Sequence, residues 1–175
     1  MAMTEDDFDV VPHLGSMRRY ALVLTRDRHT ADDLVHDTLL RAFEKADTFR
    51  TGRSLRSWLL SIVHNSFVSG LRRERAQQRR DTAFAEIQSE AVDGDQEQAV
   101  RLRELAARFA ELPETQRATL HLVAVEGLSY AEAAAALEVP IGTIMSRLSR
   151  ARAQLREPEE TGRGKLRLVQ GRDDG

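Results

Sequence analysis

Residues 127–155 constrain the fold more tightly than any other part of the chain, because they spell out two helices joined by a sharp turn. Ser129 and Glu132 have the S-x-x-E spacing of a capping box, in which the two side chains reciprocally satisfy backbone N–H groups at the start of a helix. The Ala-rich run that follows has side chains small enough to let a second helix approach closely. Pro140 disfavours a helical conformation at Val139 and suits the start of a new helix, so the chain turns within a few residues. Beyond it Ile141, Ile144, Leu148, Ala151 and Leu155 recur at steps of three and four, which predicts one buried apolar stripe. Thr143, Ser146, Arg147, Arg150 and Gln154 share another face, with hydroxyls near the N-terminus and arginines behind. A helix entering the DNA major groove needs this arrangement: N-terminal polar side chains meet base edges, and arginine reads guanine or holds phosphate. Met145 and Arg152 fall on the flanks of the stripe, where packing or phosphate contact is expected rather than base reading.

The composition narrows what such a motif can belong to. With 175 residues the chain suits one ordinary domain or two small ones, and 41% hydrophobic residues suffice for their cores. There is no cysteine, which excludes disulfides, cysteine-ligated zinc, iron–sulfur clusters and thiol redox sensing. The acidic start of the chain lacks the pattern of a signal peptide, and no segment has the length of a membrane span, so a cytoplasmic protein is expected. A formal net charge of −2 argues against high-affinity DNA binding by the isolated chain, since nonspecific affinity comes from neutralising phosphates. The charges are sorted by region: 72–80 is strongly basic, whereas 81–100 carries six acidic residues (Asp81, Glu86, Glu90, Asp93, Asp95, Glu97) and no Lys or Arg. That pattern suits a protein whose DNA surfaces work inside a larger assembly.

Helical periodicity continues through 9–80. A first amphipathic segment ends near Arg26-Asp27-Arg28. Thr30 with Asp33 is expected to cap a second helix that buries Leu34, Val35, Thr38, Leu39, Ala42 and Phe43, with His36, Asp37, Arg41, Glu44 and Lys45 outside. A polar loop containing Gly52 leads to a third helix with Leu55, Trp58, Leu59, Ile62, Val63, Phe67 and Leu71 inward, bent or ended at Gly70. The acidic stretch 81–98 is expected to be a flexible linker. Helices resume near Glu97 and again after Leu112-Pro113, the latter with Leu120, Leu122, Val123 and Val125 for its core, and the tail 157–175 is expected to be disordered. The fold class is all-α: two small helical domains, 9–80 and 99–156, joined by a tether.

These residues resemble a known family, the bacterial extracytoplasmic-function (ECF) sigma factors of the sigma-70 family, which retain the domains σ2 and σ4. Ala31-Asp-Asp-Leu-Val-His-Asp-Thr-Leu-Leu-Arg-Ala-Phe43 is similar to their polymerase-binding helix. Phe49-Arg-Thr-Gly-Arg-Ser-Leu-Arg-Ser-Trp-Leu59, Ile62-Val-His-Asn65 and Leu71-Arg-Arg73 are similar to their −10 promoter-reading segment, and Leu112-Pro113, the 126–130 turn and 139–152 to their −35-reading domain. The wording of the second and third motifs is nearest the alphaproteobacterial general-stress branch. His36-Asp37 stands where the family usually has Gln-Glu, Met145 where a basic residue is common, and Ser69-Gly70 where an acid often precedes the arginines.

The resemblance implies an alternative sigma factor that directs RNA polymerase core to the promoters of stress-response genes. It implies contacts to the β′ clamp through Asp33, His36, Asp37, Leu40 and Arg41, and to the β flap through σ4. It places −10 recognition on Thr51, Gly52, Arg53, Asn65, Arg72, Arg73 and Arg75, and −35 recognition on Thr143, Ser146, Arg147, Ser149, Arg150 and Arg152. It also implies control by an anti-sigma factor, and no cofactor. Two rival readings, a dimeric helix-turn-helix regulator and a sigma-mimicking adaptor, leave respectively the 31–73 resemblance and the arginines on both DNA faces unexplained. No enzyme is expected, because no nucleophile stands beside a positioned base and His13, His29, His36, His64 and His121 lack metal-site spacing.

Overall fold

A computed structural model describes residues 8–49, 54–78 and 96–156, and the regular structure among them is entirely helical. The tether up to position 95, the loop 50–53 and the tail 157–175 lie outside the described residues. Helix α1 spans Leu14–Thr25 and stops at Arg26, whose left-handed φ of 61° turns the chain. Helix α2 spans Arg28–Glu44. Its cap is Asp27 rather than Thr30: the Asp27 carboxylate accepts both the Thr30 N–H and the Thr30 hydroxyl at 2.7 Å. A carboxylate at an N-cap outcompetes a downstream hydroxyl because it also meets the positive end of the helix dipole. Helix α3 spans Leu55–Gln78 and continues through Gly70, where the helix neither ends nor packs closely against another group.

Together α1, α2 and α3 bury Met17, Tyr20, Ala21, Leu24, Ala31, Thr38, Ala42, Leu59, Leu60 and Val63. Trp58, expected as a core anchor, is half-buried and packs against the core, with ring centroids 5.5 Å from Phe49 and 5.8 Å from Phe8. Phe43 departs from its predicted burial: it is 59% exposed and touches Phe8 edge-on.

After α4 (Gln96–Glu111), α5 (Glu114–Leu120) runs into a π-helical turn, His121–Val125, followed by α6 (Tyr130–Ala136) and α7 (Ile141–Arg156). The capping box forms as expected: Ser129 Oγ accepts the Glu132 N–H at 3.2 Å, and a Glu132 carboxylate oxygen accepts the Ser129 N–H at 2.8 Å. Ile144, Leu148 and Ala151 are buried in the same core as Leu122, Ala133 and Ala136, but Ile141 and Val125, expected inside, are exposed.

The two helical groups pack on each other, α1 and α3 against α5 and α6. At the centre is Glu126, a carboxylate with no solvent exposure, delivered by the second group between arginines of the first. The π-turn sets this position: the Glu126 N–H reaches back five residues to the His121 carbonyl at 3.0 Å. Glu126 then accepts from Arg19 at 3.1 and 3.2 Å, from Arg56, and lies 3.2 Å from His121 Nε2. Burial alone raises its pKa, but hydrogen bonds from Arg56, Arg19 and Ser16 outweigh that and bring it down to about 2. Around it, Arg117 donates to the carbonyls of Val23 and Leu112, both at 2.9 Å, and Arg26 donates to that of Ala110. The Tyr20 ring stacks near-parallel on His121 and His64, and its hydroxyl is 3.0 Å from His64 Nδ1.

Glu126→Gln should destabilise the packed arrangement by about 2–3 kcal/mol in urea unfolding, somewhat below the range for breaking a fully buried pair because Arg19 is half exposed. A carboxylate with a lowered native pKa stabilises fully above its unfolded value and progressively less below it. Stability of the wild type should therefore fall as pH drops from 4.5 toward 2, and the Glu126→Gln variant should lack that component.

Candidate nucleic-acid and polymerase interface

The exposed side of α2 carries Asp33, His36, Asp37 and Leu40, the last 56% exposed, so four of the five expected polymerase contacts share one open face. Arg41 is half-buried and donates to Ser66 Oγ at 3.2 Å, a bond that ties α2 to α3. Asp33 and Asp37 also edge a cavity of about 570 Å³ whose apolar lining includes Leu24, Leu34, Phe67, Leu71 and Leu112. Because Leu112, Glu114 and Arg117 close one side of it, this cavity exists only where the two helical groups meet.

On α3, Asn65, Arg72 and Arg73 are exposed. Arg75 belongs to the same helix, but its side chain lies outside the described set, as do Thr51, Gly52 and Arg53 altogether. Asn65 has a partner in this arrangement: its Nδ2 donates to Glu138 Oε1 at 2.9 Å. Glu138 sits in the turn between α6 and α7 with φ at 52°, a left-handed conformation that costs a residue with a Cβ about 1 kcal/mol or more. The residue before Asn65 is His64, whose pKa burial and the nearby Arg147 charge push down to about 4, with Glu138 opposing. Burial likewise lowers the pKa of His121, against the pull of Glu126. Burial thus biases both rings toward the neutral form.

On α7 the expected −35 residues divide. Ser146, Ser149, Arg150 and Arg152 are exposed, whereas Thr143 and Arg147 are half-buried. Arg147 faces the first helical group closely enough for its charge to help lower the pKa of His64 and to oppose, in small part, the burial that raises that of Tyr20. The open side of α7 is thus rotated away from Thr143 and Arg147 and toward Ser146, Ser149 and Arg150. Arg19, Arg56, Glu126 and Glu138, which hold the two groups together, are absent from the residues predicted from sequence. The one available signal was Glu126 beside Gly127 in the 126–130 turn, and it did not reveal what the carboxylate would meet. Among the described residues no cluster of metal-binding side chains occurs, and no helix is long and apolar enough to cross a membrane.

Comparison with known proteins matches each helical group to a region of one family. The Sigma-70 region 2 family model matches residues 10–77, and the Sigma-70 region 4 model matches 102–155. The ECF RNA polymerase sigma factor EcfG of Rhodopseudomonas palustris is 37% identical over 84% of this chain and 81% of its own length. The ECF sigma factor SigC of Mycobacterium tuberculosis is also 37% identical, over 74% of this chain and 70% of its own. Among solved structures, the sigma factor RpoE of Bartonella quintana, crystallised with the anti-sigma factor NepR, is similar with a TM-score of 0.72 and 36% identity. The likeness covers 85% of this chain and 92% of that one.

The left-handed residue gives a direct check on the turn that meets Asn65. Glu138→Gly and Glu138→Ala both remove the carboxylate, but only glycine is at ease at φ 52°. The Gly variant should be the more stable of the two by about 1 kcal/mol in chemical denaturation. Equal stability would show that the turn does not hold this conformation in solution.

Proposed function

We propose, for a chain that belongs to the ECF sigma factors of the sigma-70 family, that its two helical groups read the two promoter elements separately, in complex with RNA polymerase core. As a member of that family it is a non-enzymatic DNA-binding factor that directs transcription initiation. The observation that carries the finer reading is the pair of polar helix faces, one on α3 and one on α7, attached to a third face on α2 that is acidic at Asp33 and Asp37. The α2 face would meet the polymerase β′ clamp, and the second helical group the β flap. Asn65, together with Thr51, Gly52 and Arg53, would receive an extruded base of the −10 strand, whose Watson–Crick edge suits an amide. Arg72, Arg73 and Arg75 would hold phosphates. Ser146, Ser149 and Arg150, with Thr143, Arg147 and Arg152, would serve the −35 duplex. The segment 81–98, whose last three residues already belong to α4, would act as the tether, and a role at stress-response genes is proposed from the likeness to EcfG.

Engagement of both elements on this reading requires the Asn65–Glu138 contact to open, since one amide cannot serve the carboxylate and a base edge together. An anti-sigma factor is the proposed regulator: RpoE of Bartonella quintana was crystallised with one, and the cavity edged by Asp33 and Asp37 joins both helical groups. The finding that would favour the rival regulator reading is nanomolar, sequence-specific binding by the isolated chain.

Run-off transcription with purified core polymerase on a promoter library tests the reading, with transcripts expected only when both are present. Arg150→Ala should cost about 1–3 kcal/mol of promoter binding and relax preference at one −35 position. Asn65→Ala should leave −35 preference unchanged and impair strand opening by permanganate footprinting. Normal opening in that variant would remove Asn65 from the −10 site.

A further inference from the structure

Two large apolar side chains of α7 stand in solvent: Ile141 is 48% exposed and Met145 is 53% exposed, while the neighbouring Ile144 and Leu148 are buried. They are four residues apart and so share a flank, and Ser149 follows on the same row after another four. The adjacent row is Gly142, Ser146 and Arg150, all exposed, whereas the row beyond it, Thr143 and Arg147, is half-buried. The open side of α7 is therefore centred on the rows that carry Met145 and Ser146. Met145, expected from sequence to pack or to touch phosphate, does neither job well here. It is not part of the core, and a neutral thioether gives an anionic phosphate no partner.

The chemistry of the groove limits what Met145 can meet. Base edges in the major groove display hydrogen-bond donors and acceptors, which a thioether barely engages, and one apolar feature, the C5-methyl group of thymine. Methionine is unbranched and polarisable, so it can reach such a group from the flank of a helix whose serines and arginine meet the polar edges. Ile141, one turn earlier on the same flank, would exclude water from that side of the contact.

We propose that Met145, backed by Ile141, is a specificity-determining residue that reads the C5-methyl group of a thymine in the −35 element. The proposal rests on the placement of α7 in the −35 major groove given above. The test uses holoenzyme assembled from core polymerase and the full chain. A preferred −35 duplex is selected from a randomised element, and each thymine on either strand is then replaced singly by deoxyuridine, which removes the methyl group alone.

Wild type should lose about fourfold in affinity at one thymine, the value of one buried methyl group. Met145→Ala should bind the thymine duplex about as weakly as wild type binds the deoxyuridine one, and should not distinguish the two. Met145→Leu, which keeps apolar reach, should retain the discrimination, and Arg150→Ala should retain it at lower overall affinity. Deoxyuridine without effect at every thymine, or an equal effect on wild type and Met145→Ala, overturns the proposal. So does a loss of core binding in Met145→Ala with no methyl effect, which would assign the flank to a protein partner. A library that yields no preferred −35 element overturns the groove placement and this proposal together, whereas a clear element without methyl sensitivity overturns this proposal alone.

Discussion

A carboxylate with no exposure to water is tolerable only if other groups replace its hydration, and Glu126 obtains that replacement from across the boundary between the two helical groups. Arg19 and Arg56 come from α1 and α3, and His121 comes from its own π-turn. Continuous α-helical geometry in place of the π-turn would rotate the carboxylate away from the two arginines. Ion pairs of this kind contribute little net stability against an apolar alternative, but leaving one member unpaired is costly. The consequence is geometric: few relative placements of the two groups satisfy Glu126. The stacking of Tyr20 on His121 and the two carbonyl contacts of Arg117 accompany the placement that does.

The same placement brings the promoter-reading surfaces into each other's company. Asn65 meets Glu138 in the turn that introduces α7, and Arg147 of α7 faces His64 and Tyr20. A chain arranged in this way keeps part of its proposed DNA contact surface inside itself while leaving Ser146, Ser149, Arg150, Arg72 and Arg73 outward. The near-neutral net charge fits with that arrangement, because a separately active DNA binder needs a larger cationic excess.

Local rules made much of this legible. The capping box at Ser129 and Glu132, the break at Pro140 and the inward stripe of Ile144, Leu148 and Ala151 depend on neighbours within one or two turns, and all three form. The all-helical class followed from the same periodicities. Errors came where two local rules competed, as with Asp27 and Thr30 for the α2 cap, or where a stripe reached a helix end, as with Ile141 and Phe43. Contacts between the two groups were illegible for a different reason. Arg19 and Arg56 lie 107 and 70 residues from Glu126, and each looks in isolation like an ordinary solvated charge. The half-burial of Arg147 has the same origin: helical periodicity assigns it to a polar face, and only the packed neighbour turns that face inward.

The aromatic side chains are distributed so that each optical signal has its own address. The sole tryptophan, Trp58, is half-buried within the first helical group, with the Phe8 and Phe49 rings against it. Of the two tyrosines, Tyr20 lies stacked on the seam between groups and Tyr130 begins α6 in the second. Burial holds the Tyr20 phenol protonated far above its usual range. Tryptophan emission would then be blind to a separation of the groups that leaves each folded, while the alkaline ultraviolet titration of tyrosine would register it as a phenol released from burial. Two native chromophores thus separate unfolding from opening without any label being attached.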